Sequence, residues 1–361
     1  GHEISFAHTS FKWSNLASHN AGVTVVIVGV SCELSHSRQL FSLTAEDDTV
    51  VQEVANINSY LVPSSNVIVE KASTPISKLA KMDYGNKPTD NGSLILSRVE
   101  ADQIFDKSEP LNKLVRRFVG SSDSISGILR YCLWIRDEEV NLARSDVFLS
   151  ERLDQVTKFR VQSRKKTTSA AASWPHRFQE IRQGGSELPV VVPRHSSENR
   201  KYLPFALFER GTIVADSAFA MYSPDLYNIA LVASRIHLLW IATVCGKIKT
   251  DYRYSNTLGW NTFPVPTLTE QNKADLTRCA EDILLAREAH FPATIADLYD
   301  PKNKLPENLL EAHDRNDEVL ERIYIGRRFK NDTERLEKLF ELYVKMTEEE
   351  PKKKLRSMER A

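Results

Sequence analysis

Cysteine is scarce: there are four in 361 residues, Cys32, Cys132, Cys245 and Cys279, with no CxxC pair and no histidine at ligand spacing. That argues against a disulfide framework and a zinc site, so no metal is expected, and a reducing, cytoplasmic setting fits best. Long apolar runs are missing too. The longest, Val23–Val30, is far too short to span a bilayer, and no membrane is expected. The opening Gly-His-Glu-Ile has neither a basic n-region nor a signal-peptide core. It also lacks a Met, so the chain is expected to start inside a longer protein. No charge excess exists, because 48 Lys and Arg balance 48 Asp and Glu. A uniformly basic nucleic-acid binder is thereby disfavoured, while a local basic groove stays open. Absent as well are a Gly-rich phosphate loop, HExxH, GxSxG and a Cys/His nucleophile pair. With nine scattered histidines, no catalytic, cofactor-binding or metal-binding residue is nominated.

What is present is ordinary globular material, 41% hydrophobic and 27% charged. Ile4–Thr9 and Val23–Val30 read as two strands joined by the loop Ser10–Gly22. The second strand is β-branched at nearly every position, as in a strand covered on both faces of an α/β sheet. No βαβ unit precedes it, so the chain is expected to be truncated at its start. Residues 150–164 have helical periodicity, with Leu153, Val156, Phe159 and Val161 apolar and Ser150 as N-cap. Strand candidates are Arg130–Ile135, Leu188–Val192, Tyr202–Phe208 and Thr212–Ala215, followed by a helix over Leu226–Trp240. After Pro264-Val-Pro266 the chain turns helical and charged, with helices from Thr269 to His290, Pro306 to Tyr324 and Asp332 to Glu348. The tail Pro351–Ala361 is charged and expected to fray. Trp134, Trp174, Trp240 and Trp260 read as core residues rather than stacking platforms.

Two polar stretches stand out mid-chain. Pro193-Arg-His-Ser-Ser-Glu-Asn-Arg-Lys201 carries three cations, and Gly246-Lys-Ile-Lys-Thr-Asp-Tyr-Arg-Tyr-Ser255 alternates charged with other residues. If the latter is extended, Lys247, Lys249, Asp251 and Arg253 share one face. Composition alone favours a solvated edge strand with compensating charges.

Three stretches tip that balance. Phe6-Ala-His-Thr-Ser-Phe-Lys-Trp-Ser-Asn15 with Val23–Val30 resembles the last two strands of the catalytic domain in MmeI-like DNA methyltransferases. Arg194-His-Ser-Ser-Glu-Asn-Arg200, Lys247–Ser255 and Trp260-Asn-Thr-Phe-Pro264 resemble that family's target-recognition domain. Leu298-Tyr-Asp-Pro301, Leu305-Pro306 and Ala312-His313 are similar to its helical C-terminal segment. The resemblance implies an α/β (α+β) fold: terminal strands of a Rossmann-like methyltransferase sheet over 1–44, a two-part mixed target-recognition domain over 45–266, and a helical domain over 267–361.

The resemblance also implies chemistry. A methyltransferase that flips an adenine needs a separate surface to read base edges first. Lys and Arg donate to guanine, and Asp accepts from the cytosine amino group. The family reads bases through paired positions, which match Lys249 with Asp251 and, more loosely, Arg194 with Asp216; Arg253 and Ser217 are the next candidates. Lys12, Arg160, Arg164, Lys165, Lys166, Arg200, Lys201, Arg235 and Lys247 are candidates for phosphate contact along double-stranded DNA. Members bind S-adenosylmethionine on a Gly-rich loop and hold the adenine with an Asn-Pro-Pro-Tyr type motif. Neither occurs in this sequence. The intact parent is thus expected to be an adenine-N6 methyltransferase whose N-terminal catalytic domain is missing here, leaving a piece that binds no cofactor and is inactive alone. A rival reading is a non-enzymatic specificity subunit of a multi-subunit restriction system, which would have no need of strands 4–30.

Overall fold

The computed structural model describes residues 1–13, 23–32, 37–43 and 48–358. The chain divides into two compact units that interleave in sequence. One comprises Gly1–Lys78, Arg235–Asn272 and Asp317–Ala361, the other Leu79–Ser234 and Lys273–Asn316. Among the described residues no helix is long and apolar enough to cross a membrane, and no three His, Cys, Asp or Glu residues converge as a metal site would require. The cysteines are free. Burial pushes the Cys279 thiol up to about 11 and that of Cys245 up to about 12, so both are packing residues rather than nucleophiles.

In the first unit a sheet is ordered Val23–Ser31, Glu3–Trp13, Arg38–Leu43, Thr49–Val54. Glu3–Trp13 runs antiparallel to Val23–Ser31 and parallel to Arg38–Leu43. Its own core is small: Ala7, Leu40, Val54 and Ile57 are buried together. Val26, Ile27, Val28 and Val30 are 49%, 40%, 40% and 59% exposed, and since successive side chains alternate, both faces of that strand are uncovered here. A second core forms where helix Arg235–Val244 meets helix Asp332–Met358. Trp240 is fully buried, its ring 5.3 Å from Phe340 and 5.8 Å from Tyr343, and its Nε1 donates to Thr262 Oγ1 at 3.2 Å. Helix Asp332–Met358 continues beyond the expected end and into the segment expected to fray.

Charge also organises this unit. Arg235 donates to Asp332 at 2.5 Å and Arg335 donates to the same carboxylate at 2.8 Å. Burial works against a charged Asp332, but Arg235 and Arg335 outweigh it and hold the carboxyl below its usual range. A depressed folded pKa means stability that is present above the unfolded value and lost as pH falls through the folded one. Asp332→Asn should therefore lower the melting temperature at about pH 7 and flatten its fall toward about pH 3 in thermal denaturation. A decline as steep as in the parent chain would show that Asp332 is not the titrating group.

The second unit holds two antiparallel-rich sheets. One is ordered Ala206–Leu207, Pro189–Pro193, Ala218–Tyr222, Met82–Tyr84, the other Ile213–Val214, Val115–Val119, Arg130–Leu133, Ile95–Leu96. Strand Ala218–Tyr222 was not expected. It is buried at four of five positions, so it shows none of the alternation that betrays a half-covered strand. The expected strand over Tyr202–Phe208 shrinks to Ala206–Leu207. The expected helix Leu226–Trp240 is two helices, Tyr227–Val232 and Arg235–Val244. Ser234 lies between them and turns its hydroxyl back onto Leu231 O at 2.7 Å, a local bond that competes with helical pairing.

Helix Val147–Val161 carries the sharpest correction. Asp146, not Ser150, is its N-cap, accepting from Leu149 N at 3.1 Å. Its buried stripe is Leu149, Leu153, Val156 and Arg160, while Phe159 and Val161 are 36% and 60% exposed. The intervals of four, three and four keep one face inward, and Arg160 is the last member of that face. Its guanidinium is 0% exposed. Nε donates to Thr89 O (3.0 Å), Nη1 to Ala171 O and Trp174 O (both 3.1 Å), and Nη2 to Pro88 O (2.7 Å) and Arg177 O (2.8 Å). All five donors of the side chain are used. Arg160 clamps three loop segments and has no donor left for a phosphate.

Candidate nucleic-acid interface

Arg194, Asp216 and Ser217 lie in the second unit, at one end of its first sheet. Strand Pro189–Pro193 is central there, with its prolines at the first and last positions, where a missing N–H is tolerated. Arg194 follows directly and is half-buried. Its guanidinium lies 4.9 Å from the Tyr84 ring centroid and 5.7 Å from that of Phe219, two aromatics paired across neighbouring strands. Nη1 donates to Asp216 O at 3.2 Å, and Nε is buried without a hydrogen-bond partner among the described residues. The Asp216 carboxylate has no hydrogen bond or ion pair among the described residues. The structure thus brings Arg194 and Asp216 together through a backbone carbonyl and leaves the acid and base unneutralised by each other.

The turn bearing Asp216 and Ser217 is fixed from two sides. Asp216 N donates to Asn86 O at 3.0 Å, Asn86 N to Val214 O at 2.6 Å and Gly85 N to Ala218 O at 3.1 Å. A Cβ at Gly85 would stand 2.2 Å from Ala215 O, so the two backbones approach this closely only with glycine there. On the other side, Ser121 Oγ donates to Ser217 O at 2.6 Å and accepts from Arg194 N at 3.3 Å. Sequence reasoning missed Ser121, Tyr84 and Gly85. No local pattern singles out Ser121 or Tyr84, and Gly85 was legible only as a residue suited to close backbone approach.

The phosphate candidates of this unit divide. Arg164, Lys165 and Lys166 are exposed around the junction of helices Val147–Val161 and Lys166–Ala170 and have no ion pair among the described residues. Lys201 is exposed, its ammonium 5.6 Å from the Tyr202 ring centroid. Arg200 is half-buried and spends Nε on Tyr299 O at 3.2 Å.

In the first unit Lys247, Lys249, Asp251 and Arg253 are all exposed, but the extended arrangement expected for them is wrong. Gly246–Ile248 and Asp251–Arg253 form a hairpin with Gly246 opposite Arg253, Lys247 opposite Tyr252 and Ile248 opposite Asp251. Lys249 and Thr250 are the two-residue loop, and Lys249 adopts φ +56°, on the side of the map that glycine prefers. Asp251 and Arg253 share one face, Lys247 lies on the other beside Tyr252 (5.5 Å), and Lys249 caps the tip. Sequence alternation without a Gly or Asn in the loop gave no hint of the reversal. Arg235 is also corrected as a phosphate contact. It is half-buried, and although burial lowers its basicity, Asp332 and Asp317 raise it more; its charge is spent inside the unit. The Lys12 side chain lies outside the described residues, though its backbone belongs to strand Glu3–Trp13.

Comparison with known proteins follows the same pattern. A family profile described as the MmeI target recognition domain matches residues 63–267, one for the MmeI C-terminal domain matches 268–349, and one for the MmeI DNA-methyltransferase domain matches 1–42. DNA methyltransferase A of Bacillus subtilis (strain 168) is 37% identical over 349 residues, covering 96% of this chain and 39% of the relative. The solved structure of the Type IIL restriction-modification enzyme MmeI in complex with DNA aligns with a TM-score of 0.80 at 34% identity, over 96% of this chain and 46% of that one. The chain therefore spans less than half the length of either protein.

Proposed function

The chain belongs to the MmeI family, with its largest part in the target recognition domain, and from that premise we propose that it reads double-stranded DNA sequence for an S-adenosylmethionine-dependent adenine-N6 methyltransferase. The observation that carries this reading is the pair Arg194 and Asp216: a guanidinium and a carboxylate, adjacent on rigid turns and not neutralised by each other. Such a pair donates to guanine and accepts from cytosine. Lys249, Asp251 and Arg253 supply a second set of donors and an acceptor, with Ser217 completing the first.

Methyl transfer itself belongs to the longer parent protein in this reading. S-adenosylmethionine needs a Gly-rich turn and polar groups for its ribose and carboxylate ends. The described strands Glu3–Trp13 and Val23–Ser31 instead offer Val26, Val28 and Val30, a surface suited to covering by apolar side chains. These residues do not fit the cofactor, and no step of the chemistry is assigned to them. As part of the methyltransferase domain, they are the surface against which the rest of that domain in the same parent would pack. The same strands favour this reading over a free-standing specificity subunit.

Affinity would come from cations outside the reading pairs. Replacing Arg164, Lys165 and Lys166 together by Ala should weaken binding to duplexes of any sequence. The plot of log K against log salt should flatten by up to about 0.9 per lost phosphate contact. Fluorescence anisotropy of labelled duplexes across a salt series reads both quantities; an unaltered slope would return these residues to the solvated surface, and no duplex binding at all would overturn the reading itself.

A further inference from the structure

Beyond the base-reading groups, the geometry points to Ser121 and Tyr84 as positioning residues that set where Arg194 and the Asp216–Ser217 turn stand relative to one another. This rests on the proposal that Arg194 reads a base. Arg194 is the single bend residue between strands Pro189–Pro193 and His195–Ser196, and Asp216–Ser217 is the turn before the neighbouring strand Ala218–Tyr222. The two are joined at one point by the Ser121 hydroxyl, which donates to Ser217 O at 2.6 Å and accepts from Arg194 N at 3.3 Å. Ser121 N completes the bracket by donating to Ser217 Oγ at 3.4 Å. Pro193 pairs with Ala218 in the sheet, and beyond the end of that ladder this one small side chain holds together the two backbones from which the proposed reading side chains spring.

Tyr84 does the corresponding work on the guanidinium. The side chain of Arg194 is long, and among the described residues it makes one hydrogen bond, Nη1 to Asp216 O. What limits its swing is the aromatic surface beneath it, Tyr84 at 4.9 Å and Phe219 at 5.7 Å. Stacking fixes the plane of the fork, and a bidentate contact to a guanine edge depends on that plane. Phe219 is fully buried and belongs to the core, whereas Tyr84 is 37% exposed and can be changed without opening the core. Neither Ser121 nor Tyr84 needs to touch DNA for this role.

The test uses the whole 361-residue chain and a pool of randomised duplexes, with bound duplexes recovered and sequenced. Arg194→Ala identifies the position that Arg194 reads, losing about tenfold or more of its preference there. Ser121→Ala should relax that same position by about three- to tenfold, the worth of one net hydrogen bond, and leave the others alone. Tyr84→Leu should do likewise, while Ser121→Thr and Tyr84→Phe, which keep the hydroxyl and the ring, should restore the preference. If Arg194→Ala relaxes a position but Ser121→Ala and Tyr84→Leu do not, the positioning role is overturned and base reading by Arg194 stands. Loss spread evenly over all positions, or with no rescue by the conservative changes, also overturns it. If Arg194→Ala leaves every position unchanged, base reading by Arg194 falls, and the positioning role falls with it.

Discussion

Arg160→Met should destabilise the second unit by about 3–5 kcal/mol, because five carbonyls around a buried guanidinium lose a charged donor at once. Two effects oppose each other. Deleting a guanidinium that has no ion pair among the described residues removes a desolvation penalty, the same penalty that lowers the pKa of this group below the ordinary arginine value against the opposing pull of Asp90. Against that, the carbonyls of Thr89, Ala171, Trp174, Pro88 and Arg177 lose their donor at once. At about 1–3 kcal/mol for each stranded acceptor, the loss outweighs the relief. Domains have only about 5–15 kcal/mol in hand, so the variant should be marginal at 37 °C or thereabouts. Arg160→Lys should fall between, since an ammonium has three donors and no planar fork. Urea denaturation followed by circular dichroism checks the order. A variant as stable as the parent chain, with a shallower salt dependence of DNA binding, would instead return Arg160 to the phosphate contacts.

The second large effect expected is on base choice. Lys249→Glu combined with Asp251→Arg should exchange G·C for C·G at one position of the recognised sequence. Each good contact is worth roughly 1–3 kcal/mol, so the preference should swing by about tenfold to a hundredfold per contact. The hairpin refines the design. Lys249 is the tip residue at φ +56°, so Lys249→Gly removes the cation while easing the backbone, and should relax one position without loosening the loop. Mapping of methylated sites in the full-length parent reads the inversion, and duplex selection with this chain reads the relaxation. An unchanged motif, or several positions shifting together, would remove Lys249 and Asp251 from the reading surface.

How much of this could be read from the residues alone differs by element. Long patterned segments were legible: the strand Val23–Ser31, the helix after Thr269 and the two that follow. Their periodicity or β-branching is a local property. Ala218–Tyr222 was invisible because a strand buried on both faces has no alternation to display. Arg160 was misjudged by its chemistry, although its spacing from Leu149, Leu153 and Val156 places it on the inward stripe; there the period was the better guide than the charge. Lys249 was misplaced for a different reason, since nothing in Lys-Thr announces a two-residue reversal. The paired positions 194 and 216 came from family resemblance, and their adjacency is a long-range fact made by Gly85, Asn86 and Ser121 that no window of sequence contains.

The interleaving of the two units bears on the order in which the protein can be made. The Tyr60 ring packs 5.2 Å from Phe340, and Glu70 N donates to Tyr343 OH at 3.2 Å, so segments at opposite ends of the chain complete one core. During synthesis the ribosome delivers residues at about 5–20 per second, N-terminus first. Tyr60, Glu70 and the residues around them in the first unit must then wait for helix Asp332–Met358 before that core can close. The stretch Leu79–Ser234 waits for less, since Lys273–Asn316, the other segment of its unit, precedes that helix. The turns around Arg194 and Asp216, proposed to read bases, would therefore be in place on the nascent chain before the first unit has closed its core.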